Sequence, residues 1–503
     1  MLVFVFIAAG IVVCGLYVLY TAERKRIGMN CPHVAGGTPV VGQALKMLAG
    51  SPWISMNDWA KKYGRIFTFH LFGSNAVVVH DPDILKVILQ SKVHLFRKDL
   101  EWVYQPFLVI LGNGIVTAHG DSWRKQRTLL SHTLRIDILE VIPDMALRAV
   151  RRLANTLDKC CDNGTIIDMA EEFRRLTLQV IAEAVLSISA EESDETFASM
   201  YLPIVEEGNL RTWHPQRAYL PTPAYFKHQK DVKRLNDYVV SLITTRWALR
   251  EREAQGDVPT GRTQDVLDKI LSAISPEEWG PAAIHQVRDE VKTFILAGHE
   301  TSASMLAWAL YEVSCNETLL ERMHTLTNEV FGPKTFTSDS PTASNMSIPA
   351  DRSKLNDLYY SECCLRESLR KYSVVPSVVR VPSEDVDING HIIPKGTSVM
   401  INIMAAHHDA EHWPDSTTFN PDRFAAGMDK LKPYTFLPFV DGPRHCLGQY
   451  LSLLESKVVL SLLMHHYSFE VVDKVEAGKT HPFMVPIIPN SGHHVRVTRR
   501  QVE

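Results

Sequence analysis

Phe439-Val-Asp-Gly442-Pro-Arg444-His-Cys446-Leu-Gly448 is the stretch of this chain best suited to chemistry. Gly442 permits a positive φ in a tight loop. Cys446 falls where a helix begins, and the unpaired N–H groups and dipole there favour a thiolate. Gly448 withholds a side chain, which lets a flat group approach the helix, and Phe439 can shield the sulfur from water. A shielded thiolate beside a flat partner suits a ligand of haem iron. A buried structural cysteine is the commoner meaning of a lone Cys. Five fixed positions in F-x-x-G-x-R-x-C-x-G argue against it, because chance would produce them in about one such chain in ten thousand.

Three further constellations stand upstream of the cysteine. Ala297-Gly-His-Glu300-Thr301-Ser302 places a carboxylate and a hydroxyl in mid-helix, where Thr301 can bond the carbonyl four residues back and bend the helix. Glu367-Ser-Leu-Arg370 is an i, i+3 pair, weak alone, since Glu23–Arg26, Glu171–Arg174 and Glu172–Arg175 share its spacing and ordinarily mean a solvated helix face. Its place, 76 residues before Cys446 and ahead of Phe419-Asn-Pro-Asp-Arg423-Phe424, gives it weight. Trp123 and Arg127, four apart, share a helix face, and a fixed guanidinium fork suits a carboxylate.

The elements that must position these groups are mostly helical. Leu2 to Tyr20 carries no charge and is long enough to span a bilayer, and the basic run Arg24-Lys25-Arg26 after it marks the cytoplasmic side. Residues 31–42 hold two Pro and three Gly, a turn-rich connector. Ile66–Phe72 and Ala76–His80 read as strands around Gly73-Ser74-Asn75. From Asp81-Pro82 to about Arg380 the spacing is helical, including Met145–Leu157, Phe173–Leu186 and a long helix from Ile284 to Cys315. Breaks fall at 251–263 and 332–353. Short strands follow at Val386–Ile393, with an Asn389-Gly390 turn, and at Ser398–Ile403; a last helix runs from just after Cys446 to about His465.

Composition narrows the field. With 503 residues, 45% hydrophobic and 22% charged, the chain is globular. Its 53 basic against 57 acidic residues offer no polyanion-binding excess, so nucleic acid is not an expected partner. The eight cysteines show neither a disulfide framework nor a zinc pattern, which favours a reducing compartment. No GxGxxG, Walker or GxSxG motif is present, and His299-Glu300 lacks the second His of HExxH. His132, His407 and His408 match no ligand pattern.

With these motifs in this order, the sequence resembles the cytochrome P450 superfamily, of the membrane-anchored microsomal type, over nearly all of the chain after its apolar start. The resemblance implies a mainly α fold with a small β region, preceded by one transmembrane helix: an anchor at 1–21, a basic Pro/Gly linker at 22–45 and a catalytic domain at 46–503. It implies haem b (iron protoporphyrin IX), with Cys446 as axial ligand in a loop that includes Phe439 and Gly448. Trp123, Arg127, Arg380 and Arg444 match propionate contacts. Thr301 and Glu300 match the acid–alcohol pair that holds water and delivers protons to dioxygen, and Glu367, Arg370 and Arg423 a network that holds the Cys loop.

The implied reaction inserts one oxygen atom from O2 into a lipophilic fatty acid, sterol, terpenoid or carotenoid. The implied electron source is NADPH, through NADPH–cytochrome P450 reductase with cytochrome b5 as a second donor, on the cytosolic side of the endoplasmic reticulum membrane. Arg124 and Lys125 are candidate reductase contacts, and Trp102, Phe107, Phe294, Ala297, Val375 and Val378 candidate pocket residues. Ala297 stands where fatty-acid ω-hydroxylases often carry a Glu that esterifies haem, which weakens that specialised reading. The GHETS segment and last helix also resemble carotenoid-ring hydroxylases, although no plastid transit segment is evident. The rival readings are a haem-thiolate isomerase or dehydratase acting on hydroperoxides, which tends to lose the acid–alcohol pair, and a non-enzymatic haem protein, which would not need it.

Overall fold

The computed structural model describes residues 10, 12–17, 31–38, 41–72, 74–134, 136–257, 264–332 and 342–500. The longer helices, in chain order, are α1 (Pro52–Tyr63), α2 (Gly120–Thr133), α3 (Ile136–Asn163), α4 (Met169–Leu186), α5 (Ala198–Trp213), α6 (Pro223–Ala254), α7 (Pro281–Cys315), α8 (Glu317–Phe331), α9 (Tyr359–Tyr372) and α10 (Gln449–His466). The strands are β1 (Ile66–Leu71), β2 (Ser74–Val79), β3 (Phe96–Lys98), β4 (Ile167–Asp168), β5 (Ser377–Pro382), β6 (Val386–Ile388), β7 (His391–Ile393), β8 (Ser398–Asn402), β9 (Tyr467–Val471) and β10 (His494–Arg499). The mainly α character with a small β region is as expected.

Helix α7 is the axis of the molecule. Pro281 sits in its first turn, where a missing N–H costs nothing, so it begins three residues before Ile284. Its second half is apolar almost all round, with Met305, Leu306, Trp308 and Leu310 buried against α4, α9 and α10. Gly298 lets α4 come close: a Cβ there would lie 2.7 Å from the Ile181 side chain. Helix α4 starts at an N-cap, Asp168, whose carboxylate accepts the Ala170 N–H.

The β region is a five-stranded sheet, order β1-β2-β8-β5-β3, with a three-stranded sheet β4-β10-β9 and the β6–β7 hairpin. Val77, Val79, Val399 and Ile401 face one core cluster, and Ala76, Val78, Val379 and Met400 another. Burial on both faces explains the unbroken apolar run in β2. Leu71 pairs with Ser74, so β2 begins two residues earlier than its spacing suggests, and Phe72 turns the chain at φ +47°. Asn389 and Gly390 take φ +53° and +83°, the geometry a two-residue hairpin demands.

The expected anchor and basic run lie largely outside the described residues, as do 258–263 and 333–341 within the two expected breaks. Residues 12–17 are helical, and no helix among the described residues is long and apolar enough to cross a membrane. Part of the expected linker is docked: Val34 is buried and its N–H donates to the Thr68 carbonyl of β1.

Candidate functional site

The Cys loop is shaped by backbone contacts. Gly442 adopts φ +75°, and a Cβ there would stand 2.1 Å from the Leu89 carbonyl oxygen, so both conformation and space require glycine. The Cys446 N–H donates to the Phe439 carbonyl at 2.9 Å, folding Phe439 over the loop. Helix α10 starts at Gln449 with Gly448 as its cap. A Cβ on Gly448 would meet only the Cys446 sulfur, at 3.8 Å, so the approach to the helix end is open. Burial pushes the Cys446 thiol up, while the Gly448 and Gln449 N–H groups and Arg127 draw it down. A coordinating metal cation deprotonates such a thiol outright.

Cys446 lies on the wall of a cavity of about 350 Å3. Phe439, Leu447 and Gly448 share that wall, and Phe294, Ala297 and Thr301 of α7 line it too. Thr301 donates its hydroxyl hydrogen to the Ala297 carbonyl at 2.6 Å, the i−4 contact its mid-helix place suggests. Val375 and Val378 complete the apolar lining from the sheet side. Trp102 and Phe107 are not among the lining residues: Trp102 is 42% exposed in a surface pocket beside Phe72, and the Phe107 ring packs against Gly208 of α5. Sequence position placed them near the site, but loop geometry turned them away.

Trp123, Arg127, Arg444 and Lys98 also line the cavity. The Arg444 guanidinium lies 4.0 Å from the Trp123 ring centroid and donates to the Ala118 carbonyl at 2.9 Å. Arg127 donates to the His445 carbonyl at 2.7 Å. Arg380, 2% exposed on β5, donates to the Val379 carbonyl at 3.0 Å. Among the described residues, none of Lys98, Arg127, Arg380 and Arg444 pairs with a carboxylate. Burial lowers the Arg444 guanidinium to about 10, helped by Arg380 and Arg127. Lys98 escaped the sequence reading because its only signal is a basic residue in Phe96-Arg-Lys98-Asp99, two residues of which point to opposite faces.

Glu300 is placed differently. It lines a second cavity of about 190 Å3 with Asp168, Glu171 and Arg174. Arg174 donates to it twice from Nε at 3.2 Å and once from a terminal nitrogen at 2.7 Å. Burial works to raise the Glu300 carboxyl, but His299 and Arg174 hold it below its ordinary value. His299 is itself pushed down by burial and so is neutral near neutral pH, which leaves Arg174 as the effective partner. Arg174 belongs to one of the spacings that ordinarily mean a solvated pair; it does bind Glu171 at 3.1 Å, and reaches Glu300 as well.

Glu367 and Arg370 form a doubly bonded pair, both contacts 2.8 Å, with both side chains 0% exposed. Arg370 also donates to the carbonyls of His407 and Thr418, and Glu367 accepts the Asn420 N–H. Arg423 lies 3.4 Å from Glu367 and donates to the Asp415 carbonyl. His407 is part of the same scaffold, accepting the Leu437 N–H at 2.8 Å.

A family model for cytochrome P450 matches residues 32–494, and the chain belongs to that family. It is similar to cytochrome P450 4c21 of Blattella germanica, 28% identical over 476 residues, 91% of each chain. It is also similar to cytochrome P450 4V2 of Homo sapiens, 26% identical over 500 residues, 94% of this chain and 90% of that one. The protein is therefore a cytochrome P450 monooxygenase whose cofactor is haem b held through a cysteine thiolate, with electrons from a redox partner. The cavity fits that cofactor: a sulfur on its wall, a glycine that leaves the approach open, and half-buried cations on its lining that pair with no carboxylate among the described residues, where the haem carries two.

Proposed function

We propose that the chain is a membrane-anchored haem-thiolate monooxygenase that inserts one oxygen atom from O2 into a lipophilic fatty acid, sterol, terpenoid or carotenoid. The observation that carries this is the meeting of Cys446, Thr301 and the unpaired cations on one apolar cavity. Bound haem supplies dioxygen activation and O–O cleavage. Cys446 would hold its iron as a thiolate and lend it electron density. Trp123, Arg127, Arg380 and Arg444 would hold its propionates, and Glu367, Arg370 and Arg423 keep the Cys loop in place.

Thr301 gives its hydrogen to Ala297, so its oxygen is free to accept a hydrogen bond from water in the cavity. Glu300, ionised and held by Arg174, faces the second cavity and passes protons across α7. Phe294, Val375 and Val378 exclude water and orient the substrate. Ala297 cannot form an ester to haem, which favours a pocket without that covalent restraint. Leu2–Tyr20 anchors the chain in the endoplasmic reticulum membrane with the catalytic domain in the cytosol. NADPH–cytochrome P450 reductase, with cytochrome b5 as a second donor, docks near Arg124 and Lys125, both exposed.

The test is optical titration of the detergent-solubilised chain with each lipid class, followed by turnover with NADPH, reductase and 18O2. A Soret shift with one class and a product carrying one labelled atom are expected. Turnover of hydroperoxides without NADPH would overturn the reading in favour of an isomerase. Cys446→Ala is expected to fold and to lose the thiolate spectrum; a mutant spectrum equal to wild type would remove Cys446 as ligand.

A further inference from the structure

Two aromatic side chains stand directly behind the wall of the Cys446 cavity. Met305 of α7 and Leu369 of α9 line that cavity. Trp308 and Tyr372 follow them by three residues each, a rise of about 4.5 Å along either helix. Their rings stack with centroids 3.7 Å apart and planes 10° apart. Both side chains are buried, Trp308 completely. Neither ring lines the cavity itself.

Indole and phenol are both oxidisable, and their surroundings decide what each can pass on. The Trp308 N–H donates to the Ile487 carbonyl at 2.9 Å. A carbonyl cannot take that proton, so Trp308 can relay an electron and nothing more. The Tyr372 hydroxyl donates to the Glu312 carboxylate at 2.5 Å, and that half-buried carboxylate also holds Lys371. A carboxylate can take the proton, so Tyr372 can give up electron and proton together. Burial, with Glu312 beside it, pushes the Tyr372 phenol up, so its proton leaves only with the electron. Tyr311 is a second phenol near Trp308, edge-on at 6.1 Å, but it donates to the Lys474 carbonyl, which is no proton acceptor.

We infer that Trp308 and Tyr372 form a discharge path that drains oxidising equivalents from the haem when no substrate is there to take them. This rests on the reading that the cavity holds haem. Hydrogen peroxide at the haem takes up two electrons and two protons and leaves as two molecules of water. Two passes along the path balance it. In each, Trp308 loses one electron and regains it from Tyr372, while the phenol proton goes to Glu312. Glu312 releases that proton to water, from which the haem side draws its own. The phenoxyl radical left behind takes one electron and one proton from a small ene-diol or thiol reductant, which restores the phenol. Without such a drain the same equivalents would be spent on the porphyrin and on the Cys446 sulfur.

The experiment mixes the haem-loaded full chain, free of substrate, with hydrogen peroxide. It reads the phenoxyl radical by freeze-quench electron paramagnetic resonance and haem bleaching at the Soret band. Wild type is expected to show the radical. Tyr372→Phe, which keeps the stack, and Glu312→Gln, which cannot take the proton, are expected to lose it and to bleach faster. Trp308→Phe is expected to do the same, and Tyr311→Phe to behave as wild type. Ascorbate is expected to quench the radical and to slow bleaching in wild type but not in Tyr372→Phe. A haem-loaded wild type that bleaches without a phenoxyl signal, or a signal that survives in Tyr372→Phe, would overturn the path. Should Trp308→Phe not fold, Tyr372→Phe and Glu312→Gln decide by themselves. A wild-type chain that takes up no haem at all would instead overturn the functional reading and the path with it.

Discussion

Arg370 and Arg380 lie ten residues apart and are almost equally buried, at 0% and 2% exposure, yet their surroundings are opposite. Arg370 meets a carboxylate through two hydrogen bonds and two backbone carbonyls besides. Arg380 faces Lys98 across a strand pair and has Arg444 close enough to be felt. A buried charge that the chain itself neutralises holds structure together, and one it leaves without an acid marks where a ligand's charge belongs. Glu290 of α7 shows the converse: it accepts the Ile115 N–H at 3.0 Å and a Gln286 amide hydrogen at 2.9 Å, and among the described residues no cation pairs with it.

The largest test of this contrast is Glu367→Ala, which leaves Arg370 buried and alone. A loss of about 3–5 kcal/mol is expected in urea unfolding. A loss below 1 kcal/mol would mean that this pair is not the anchor of the Cys-loop region.

Glu290 comes next. Burial raises its carboxyl to about 7. The folded value lies above the unfolded value near 4.5, so its favourable contribution is full in acid and is lost as pH rises from about 4.5 through about 7. Glu290→Gln still accepts from Ile115 but cannot ionise. It is expected to flatten the stability profile over that window and to gain on the order of 2 kcal/mol at pH 8. An unchanged profile would show that Glu290 is not the group responsible.

Arg380→Met sharpens the comparison through its sign. Removing an unpaired buried cation is expected to stabilise the haem-free chain by about 1 kcal/mol and to destabilise the haem-loaded one. Paired unfolding curves of the two forms check this, and destabilisation of both would place Arg380 with Arg370. Smallest in stability is Thr301→Ala, which removes one hydrogen bond worth about 0.5–1.5 kcal/mol. Haem is expected to stay while NADPH is consumed to peroxide. Unchanged coupling of NADPH to product would remove Thr301 from proton delivery.

Local pattern made much of the fold and site legible. Asp81-Pro82 does begin a helix, with the Asp81 carboxylate accepting two N–H groups, and Asn389-Gly390 does turn a hairpin. The strand start at Ser74 was misplaced because both faces of β2 are buried, which erases the alternation that sets register. Trp102 and Phe107 were misassigned because which loop residues reach a cavity depends on how the loop packs.

By itself, the sequence determined the groups whose meaning is local: the left-handed Gly442, the helix start after Cys446, the Thr301 contact to Ala297 and the one-turn reach of Glu367 to Arg370. These follow from dihedral preferences and helical period, which act over a few residues. Tertiary structure alone decided that Arg174 would reach beyond its i, i+3 partner Glu171 to hold Glu300 as well, and that Lys98 would face Arg380 across 282 residues of chain. Those pairings depend on packing between distant elements and on the cost of burying charge, neither of which is expressed in the spacing of neighbours.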